Sequence, residues 1–314
     1  MAKKKHITIS GIIVEKSYTA IGYIFKSLFK LFTPRKLSGE RETSDLTLML
    51  FSGVKGGKMM KAVLLSVYTT WEKVPQVTIV TDGTPKEYFE GIMAFWPFPY
   101  KIKTWKEEAE VFRAKGATNL VEFAEGNVYA RKMIGVLAEA ENGPTVYCDT
   151  DVLWFGEPRL PARTPREGFA FRMSTDNTHC YHMPTIRYFG RQDLLEKPPF
   201  NAGVLYMSGS LVDHYPELED QMAFFKLFAE DTFPEQIAFA FFADKLGDRW
   251  TLDEIILTIE DLRWPLIPRY FFSGNHFARH HVLTKKSWFW RDALYILLFK
   301  KNNARRRTVV SGAV

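Results

Sequence analysis

Two aspartates separated by one residue, Asp149 and Asp151, carry the clearest chemical signal in this sequence. They directly follow Thr145 to Cys148, a short apolar run that is typical of a buried strand. A turn that begins at a strand end lets both carboxylates reach one ion. Carboxylate oxygens are ligands for Mg²⁺ and Mn²⁺, which usually share them with substrate phosphates. The pair therefore predicts a divalent-cation site able to neutralise charge on a departing diphosphate. A solvated turn is the alternative, because Asp-x-Asp also occurs by chance.

The elements that must position this pair alternate between strand and helix. Strands are predicted over 46–51, 77–80, 100–104 and 145–148, and helices over 58–71, 86–95 and 128–140. Such alternation indicates an α/β fold with a covered parallel sheet, which binds ligands at the carboxyl ends of its strands. Ser52, Gly53, Asp82 and Gly83 follow the first two strands, so we expect them at a nucleotide-binding edge. Simple turns explain the glycines equally well.

The second half of the chain has weaker but recognisable patterns. Polar residues 107–125 are predicted to be irregular or helical, and the prolines between Pro158 and Pro165 indicate a surface loop. Strands are predicted over 168–173 and 201–207, and helices over 212–229 and 235–246. No internal repeat or low-complexity tract is present.

Length and composition favour a folded domain. The chain has 314 residues, of which 46% are hydrophobic, so it can bury one substantial core. Cys148 and Cys180 are too few for a disulfide framework and lack zinc-ligand spacing, which favours a reducing, cytoplasmic location. The net charge of +6 concentrates at the two ends of the chain. Nucleic acid, anionic lipid and acidic glycan are partners of suitable charge, although no nucleic-acid-binding motif accompanies the clusters.

The two ends differ in character from the middle. Residues 1–43 read as a basic amphipathic segment with Ile21, Phe25 and Phe29 at helical spacing, and residues 287–314 read as an aromatic and basic helix with a tail. Charged side chains interrupt the apolar run between Ile7 and Phe32, which argues against a membrane span or a secretory signal. Two interpretations stay open for these ends: packing on the domain at 44–286, or peripheral docking on an anionic membrane surface.

Several strings resemble GT-A glycosyltransferases, particularly the retaining families 8 and 77. VYCDTDVLWFGEP at 146–158 resembles their metal-binding segment, FNAGV at 200–204 resembles Phe-Asn-Ser-Gly-Val, and Glu235-Gln236 resembles an Asp-Gln pair. The resemblance, which covers roughly Leu46 to Trp288, implies a GT-A, Rossmann-like fold with a mixed central sheet, and the peripheral terminal helices are predicted from their own residue spacing. It also implies that Asn201 and Gly203 lie near the donor sugar and that Glu235 and Gln236 lie beside the reacting carbon.

A further part of the resemblance lies near the end of the domain. His280 is followed, after five residues, by Lys286 and then by Trp288, with Ser287 where the family has Pro. The family pattern implies that His280 completes the metal site and that Lys286 binds the diphosphate. A neutral imidazole can ligate Mn²⁺, and a lysine can offset phosphate charge. His276 and His281 stay open as substitutes for His280.

Two basic residues of the predicted helix before the acidic pair belong to the same resemblance. Arg131 and Lys132 resemble a position that contacts donor phosphates, and an ordinary solvated helix face is the alternative. Three polar residues lie in the segment that binds the sugar hydroxyls in the family: Asp176, Asn177 and His182. The resemblance thus implies metal-dependent transfer, with Mn²⁺ or Mg²⁺, from a nucleoside-diphosphate sugar to a glycan, lipid-linked or protein acceptor.

This chain departs from the family at two positions. Phe51-Ser52-Gly53 stands where the family has an Ala-x-Asp contact to uridine, and Glu235 replaces Asp. A phosphohydrolase of the haloacid dehalogenase type, with Asp149 as nucleophile, is an alternative, as is a non-catalytic membrane-surface protein on the same fold. A nucleotidyltransferase would need a better phosphate loop than Val54-Lys55-Gly56-Gly57-Lys58.

Overall fold

The computed structural model describes residues 9–160, 168–228, 230, 234–257, 276–282 and 286–300, with the side chains of all of these except 9–19, 286 and 287. The predicted loop at 158–165 therefore lies partly outside the described residues.

The described strands form two sheets. In chain order they are β1 (Thr43–Ser52), β2 (Val74–Thr81), β3 (Tyr100–Thr104), β4 (Thr145–Cys148), β5 (Val152–Trp154), β6 (Ala170–Thr175), β7 (Phe200–Ser208), β8 (Asp248–Trp250), β9 (Ile255–Leu257) and β10 (Ala278–His280). Seven of them make a central sheet in the order β3-β2-β1-β4-β7-β6-β8, and β5, β10 and β9 make a small second sheet.

The central sheet is mixed. Its first four strands, β3, β2, β1 and β4, run parallel to one another, whereas β7 pairs antiparallel with both β4 and β6. The predicted α/β class with a mixed central sheet is therefore confirmed. Because β4 lies between β1 and β7, the acidic pair that follows it stands in the middle of the sheet edge, where the direction of the strands changes.

The described helices cover both faces of this sheet. In chain order they are α1 (Ile9–Phe32), α2 (Val54–Thr70), α3 (Lys86–Met93), α4 (Trp105–Ala114), α5 (Thr118–Gly126), α6 (Val128–Asn142), α7 (Met183–Tyr188), α8 (Leu211–His214), α9 (Leu218–Phe225), α10 (Pro234–Leu246) and α11 (Lys286–Tyr295). A π-helical turn continues α11 over Ile296–Lys300.

Alternate side chains of β1 show how the sheet divides the core. Leu48 and Leu50 pack with α2, α3 and α11 on one face, whereas Met49 packs with α4, α5, α6 and α10 on the other. Both groups are fully buried. This alternation is the consequence of the two-residue period of a strand, and it explains why β1 reads as a continuous apolar run.

In two regions the structure has a pair of short helices where the sequence pattern predicted a single segment. Residues 107–125 form α4 and α5, separated at Gly116, whose φ of 78° ends the first of them. The single helix predicted over 212–229 is wrong, because α8 ends before Pro216 and α9 begins after it. Proline has no backbone N–H and disfavours helical backbone in the residue before it, so a helix does not pass through this point.

Helices near both ends of the chain pack on the domain and on each other. α1 lies along α11, with the rings of Phe29 and Trp290 5.6 Å apart. In the part of the chain that the structure describes, no helix combines the length and the apolar character needed to cross a membrane. α1 and α11 share one hydrophobic core with the central sheet. The boundaries predicted at 43/44 and 286/287 stay a prediction.

Candidate active site

The acidic pair lies in a tight turn between two strands of different sheets. The Asp149 N–H donates to the Gly203 carbonyl oxygen at 2.8 Å, which ties the end of β4 to β7. The Val152 N–H then donates to the Asp149 carbonyl oxygen at 3.1 Å, so the chain reverses within three residues and enters β5. The turn directs both carboxylates to the same side, as the strand-end position predicts.

Pairing between β5 and β10 brings His280 to this turn. The two strands are antiparallel, with His280 opposite Val152, the residue after Asp151. His280 Nε2 lies 3.2 Å from Asp151 Oδ1 and 3.7 Å from Asp149 Oδ2. One ligand atom from each of these three side chains lies within 4.8 Å of the other two. Two carboxylates and an imidazole nitrogen at this spacing fit a divalent cation such as Mn²⁺ or Mg²⁺.

Asn201 on β7 orients the imidazole. The Gly203 N–H donates to Asn201 Oδ1 at 2.8 Å, and the Asn201 side-chain amide donates to Asp176 Oδ2 at 2.8 Å, which together define the amide orientation. His280 Nδ1 lies 3.2 Å from the same Oδ1 and therefore carries a proton that it donates. The other nitrogen, Nε2, is then left for the carboxylates or a cation. A hydrogen bond of this kind is the usual way in which proteins orient a metal-binding histidine.

Gly203 provides the space for that imidazole. A Cβ atom at this position would stand 2.2 Å from His280 Cε1 and 2.5 Å from its Nδ1. No side chain fits at such distances, and His280 is buried, so the ring has little room to withdraw. The glycine of the FNAGV string therefore lets His280 pack directly on β7.

The charge on His280 depends on opposing effects. Burial disfavours the imidazolium, but the carboxylates of Asp151 and Asp149 outweigh it and raise the pKa of His280 above its ordinary value. A bound cation would compete with that proton, since only the neutral ring can ligate a metal.

His281 points away from the carboxylates and takes part in a different network. Its Nε2 lies 3.1 Å from Asp292 Oδ2, and its Nδ1 lies 3.1 Å from the Asp151 carbonyl oxygen, which also accepts from the His281 backbone N–H at 2.9 Å. Burial lowers the pKa of His281, which favours a neutral ring. The ring of His276 packs against Phe155 at 5.6 Å. Of the three histidines considered from the sequence, His280 is the one that the structure brings to the acidic pair.

Behind the site, Asp292 of α11 joins the helix to β10. Arg279 Nη1 donates to Asp292 Oδ2 at 2.5 Å, and Arg291 Nε donates to its Oδ1 at 2.8 Å. All three side chains are buried. Burial alone disfavours the carboxylate, but Arg279, Arg291 and His281 outweigh it and hold the pKa of Asp292 well below its ordinary value. This network had no signal in the sequence, because each of its members is common in exposed positions.

Lys132 lies buried between the acidic pair and α10. Its Nζ is 3.0 Å from Glu235 Oε1. Burial disfavours the charged form, but Glu235 and Asp149 outweigh it and raise the pKa of Lys132, so the group is a cation. The alternative of a solvated helix face is wrong for Lys132, since the side chain is only 5% exposed.

Glu235 and Gln236, the predicted catalytic pair, lie in the first turn of α10. Glu235 is 1% exposed, and its Oε2 has no hydrogen-bond partner among the described residues. Gln236 donates from Nε2 to the Phe200 carbonyl oxygen at 3.2 Å, one residue before Asn201. Gln236 therefore contacts β7 and Glu235 contacts Lys132, and the roles of both residues in catalysis stay a prediction.

The residues predicted at the nucleotide-binding edge do lie together. Ser52 and Thr81 are paired at the ends of β1 and β2, and the Asp82 N–H donates to the Ser52 carbonyl oxygen at 3.2 Å. Ser52 is buried, however, and its hydroxyl donates to the Gly53 carbonyl oxygen at 3.0 Å. Asp82 Oδ1 accepts from the Thr84 N–H at 3.0 Å and so stabilises the following turn.

Arg131 contacts the same edge of the sheet, at the end of β2. Its guanidinium donates to the carbonyl oxygens of Asp82, Ala124 and Glu125 at 3.1, 3.1 and 3.3 Å. The guanidinium carbon also lies 4.8 Å from the centre of the Trp105 ring. These contacts assign Arg131 a role in fixing the strand end, and a contact to donor phosphates stays a prediction.

The glycine pair after β1 belongs to the first turn of α2 and not to a phosphate loop. A Cβ at Gly56 would stand 2.6 Å from Ser52 Oγ and 2.7 Å from Thr150 Oγ1. The start of α2 therefore lies directly against the residue between the two aspartates. Its N-cap, Gly53, contributes no side-chain hydrogen bond. Free amide groups at a helix N-terminus favour phosphate groups.

Other predicted contacts are only partly described. The side chain of Lys286 lies outside the described residues, although its backbone begins α11. Asp176 lies next to Asn201, as noted above, and its Oδ1 accepts from the Asn177 N–H at 2.8 Å. His182 Nδ1 lies 2.8 Å from Thr185 Oγ1, at the start of α7. Tyr147 was missed from the sequence, yet its hydroxyl donates to Asp149 Oδ1.

No protein-family model matches the chain, and no curated protein matches it. Solved structures of similar chain path include mouse xyloside xylosyltransferase 1 in its apo form, at 12% identity and a TM-score of 0.49 over 76% of this chain and 97% of that chain. The galactosyltransferase LgtC, in complex with donor and acceptor sugar analogues, is 11% identical with a TM-score of 0.49 over 80% and 95%. The glycosyltransferase GlyE of Streptococcus pneumoniae is 11% identical with a TM-score of 0.45 over 85% and 64%. Because these identities and TM-scores are low, any function of this chain has to be argued from its own residues.

Proposed function

We propose that this chain is a glycosyltransferase that uses a divalent cation to transfer a sugar from a nucleoside-diphosphate sugar. The observation that carries the proposal is the meeting of the neighbouring Asp149 and Asp151 with His280, which comes from a distant part of the sequence, so that ligand atoms of the three lie within 4.8 Å of one another. The motif resemblance of the same residues to retaining GT-A families points to the same chemistry. Mn²⁺ or Mg²⁺ bound there would offset the negative charge that a departing diphosphate gains.

The chain supplies further groups that suit a diphosphate. The first turn of α2 lies against Thr150 and presents amide groups that no side chain caps. Helix N-termini stabilise phosphate groups through these amides and through the helix dipole. In the proposal Lys286, which the motif resemblance assigns to the diphosphate, adds a positive charge. Such interactions lower the barrier when they strengthen as charge develops on the leaving group.

Glu235 and Gln236 are proposed to face the donor sugar. The pairing of Lys132 with one oxygen of Glu235 restricts the carboxylate, while its second oxygen stays without a protein partner among the described residues. A buried polar atom of this kind is costly unless a ligand satisfies it. In the proposal this oxygen accepts a hydrogen bond from the donor, and Gln236 lies beside the carbon that loses the diphosphate.

The finer parts of the proposal follow from the motif resemblance. The donor is proposed to be a UDP-sugar, the configuration at the anomeric carbon to be retained, and the acceptor to be a glycan, a lipid-linked sugar or a protein. Ser52 and Asp82 would lie at the base-binding edge, and Asn201 and Gly203 below the sugar.

A nucleotide-sugar panel tests the proposal. The full chain is incubated with UDP-, GDP- and CDP-sugars, with and without Mn²⁺, and release of the nucleoside diphosphate is measured. We expect release from a UDP-sugar that depends on the cation and falls about a hundredfold or more in Asp149→Asn and in Asp151→Asn. Asp213→Asn makes the same change at an exposed position of α8 and should leave turnover unchanged.

Two results would contradict the proposal. One is cation-stimulated turnover that persists in folded Asp149→Asn and Asp151→Asn variants. The other is release of phosphate from simple phosphate esters without any sugar nucleotide, which would favour the phosphohydrolase interpretation.

A further inference from the structure

One side of α1 is apolar and exposed. Ile24, Leu28 and Leu31 follow the i, i+4, i+7 spacing of a single helix face, and Tyr23 and Phe32 adjoin them. Leu31 is 74% exposed and Phe32 51%. The opposite side of the helix already packs on the domain through Phe29, which is buried. The apolar character of α1 therefore exceeds what its packing on the domain requires.

A basic pocket lies on the domain side of α1, where Phe29 packs. A cavity of ≈ 280 Å³ is bounded by residues of α1, α2 and α11 and by the chain that follows α1. Its polar lining includes four cationic side chains, Lys30, Arg35, Lys58 and Lys61. Phe29 and Trp290 form its apolar wall.

The cations of this pocket lack acidic partners. Within the described residues, no carboxylate oxygen lies within 4.0 Å of Lys30, Arg35, Lys58 or Lys61. Other described lysines do form such pairs, for example Lys103 with Glu139 at 2.5 Å. Lys26 Nζ lies 5.2 Å from the centre of the Trp290 ring, which lines the same pocket. Burial and then the charges of Lys30 and Lys58 lower the pKa of Lys26. Positive charges gathered without counterions favour an anion.

The combination of the two features identifies the kind of anion. A free phosphate or an acidic protein segment would satisfy the charges but would leave Leu31 and its neighbours in water. A membrane that contains anionic lipids offers phosphate groups and, below them, an apolar layer. Helices with exposed apolar and basic sides bind at such interfaces through both contributions.

We propose that α1, together with the pocket between α1, α2 and α11, binds the surface of an anionic membrane, with lipid headgroup phosphates held by Lys30, Arg35, Lys58 and Lys61. The exposed side chains of α1 enter the layer below the headgroups. Two more exposed apolar residues, Leu298 and Phe299, lie on the π-helical turn that continues α11.

This surface is connected to the candidate active site through α2. Lys58 follows Gly56, the residue that adjoins Thr150, by about half a turn, and Lys61 follows it by about one and a half turns. At 1.5 Å per residue, Gly56 and Lys61 are separated by only about 7 Å along the helix axis. Membrane binding would therefore hold the sheet edge close to the lipid surface. This inference does not depend on the proposed transferase activity.

Vesicle sedimentation tests the proposal without donor or cation. The full chain is mixed with phosphatidylcholine vesicles, with or without phosphatidylglycerol. We expect binding to the anionic vesicles. Binding should be about thirtyfold weaker for Lys30→Gln/Lys58→Gln, since each of the two lysines contributes about fivefold to the affinity. Lys101→Gln/Lys106→Gln removes two exposed lysines from β3 and α4 and should change binding far less.

A second pair of variants tests the apolar contribution. Leu31→Ser should weaken binding, whereas Leu227→Ser, at a residue that is also 74% exposed, should not. Inorganic phosphate at constant ionic strength should not displace the protein from the vesicles, because it does not offer an apolar layer.

Four outcomes would overturn the proposal. They are equal binding to zwitterionic and anionic vesicles, equal losses in the two lysine variants, release by inorganic phosphate alone, and absence of vesicle binding. The wild-type chain could also fail to bind vesicles and form a dimer, with Leu31→Ser monomeric by light scattering. In that case the exposed apolar face of α1 binds a second copy of the chain. Because no nucleotide sugar is present, a negative result here leaves the transferase proposal standing.

Discussion

Gly203 shows how a missing side chain can decide the geometry of a cation site. A Cβ there would stand 2.2 Å from His280 Cε1, so the ring would have to leave its place beside Asp149 and Asp151. We therefore expect Gly203→Ala to weaken Mn²⁺ binding at least about tenfold, comparable to the loss of a residue that orients a ligand. Isothermal titration calorimetry with Mn²⁺ measures this.

A second glycine provides the control for that substitution. Gly91 lies in α3, and a Cβ there would meet no atom within 4 Å. Gly91→Ala should leave Mn²⁺ affinity unchanged. If Gly203→Ala binds Mn²⁺ as tightly as wild type, His280 is not a ligand in the position that the structure shows.

At the scale of elements, α11 and β10 are joined by a buried charge network. Asp292 accepts hydrogen bonds from Arg279 and Arg291, and His281 ties the same carboxylate to the strand that carries His280. We expect Asp292→Asn to destabilise the protein by about 3 kcal/mol, because it leaves buried guanidinium charge without its carboxylate. Urea denaturation followed by circular dichroism measures the change.

The same network predicts a dependence on pH. The pKa of Asp292 is held below its ordinary value in the folded protein, so the ionised group stabilises the fold above its unfolded-state pKa. This contribution is lost progressively as pH falls from the unfolded-state pKa toward the lower folded-state pKa. The stability difference between wild type and Asp292→Asn should thus stay constant from neutral pH to about pH 4 and shrink below it. Asp253→Asn, at an exposed position, should show no such difference.

At the scale of the whole molecule, the candidate site is assembled from both faces of the sheet. Cys148 and Val204 beside it belong to one apolar cluster, and Phe200 and Tyr147 belong to the other. A cation bound at the turn would therefore join parts of the chain that unfolding separates. Such a ligand stabilises the native state by mass action.

We accordingly expect Mn²⁺ to raise the melting temperature of the entire domain in a single transition. At a free concentration about a hundred times its dissociation constant, the rise should be on the order of 5 °C. Differential scanning fluorimetry measures it, and Asp151→Asn should abolish it. A cation-dependent shift of equal size in Asp151→Asn would show that Mn²⁺ stabilises the protein from another site.

Local pattern was enough to predict much of the framework. The bounds of β3 and β4 match the sequence prediction, because each is a short run bordered by clear turn or helix-end residues. The same reasoning placed Asp149 and Asp151 at a strand end, where the structure has them. It did not separate α8 from α9, since the apolar spacing on both sides of Pro216 suits one helix and only the proline itself indicates the break.

The composition of the site was decided by tertiary structure. The sequence by itself determined the types of group available: two neighbouring carboxylates, histidines near 280, and a glycine after Asn201. It left open which histidine turns toward the carboxylates, because neighbouring residues of a strand point to opposite faces and only the pairing of β5 with β10 settles which faces the site. The contacts of Asn201 with His280 and of Lys132 with Glu235 join side chains that lie far apart along the chain. Contacts of this kind arise from packing, and local propensity does not contain them.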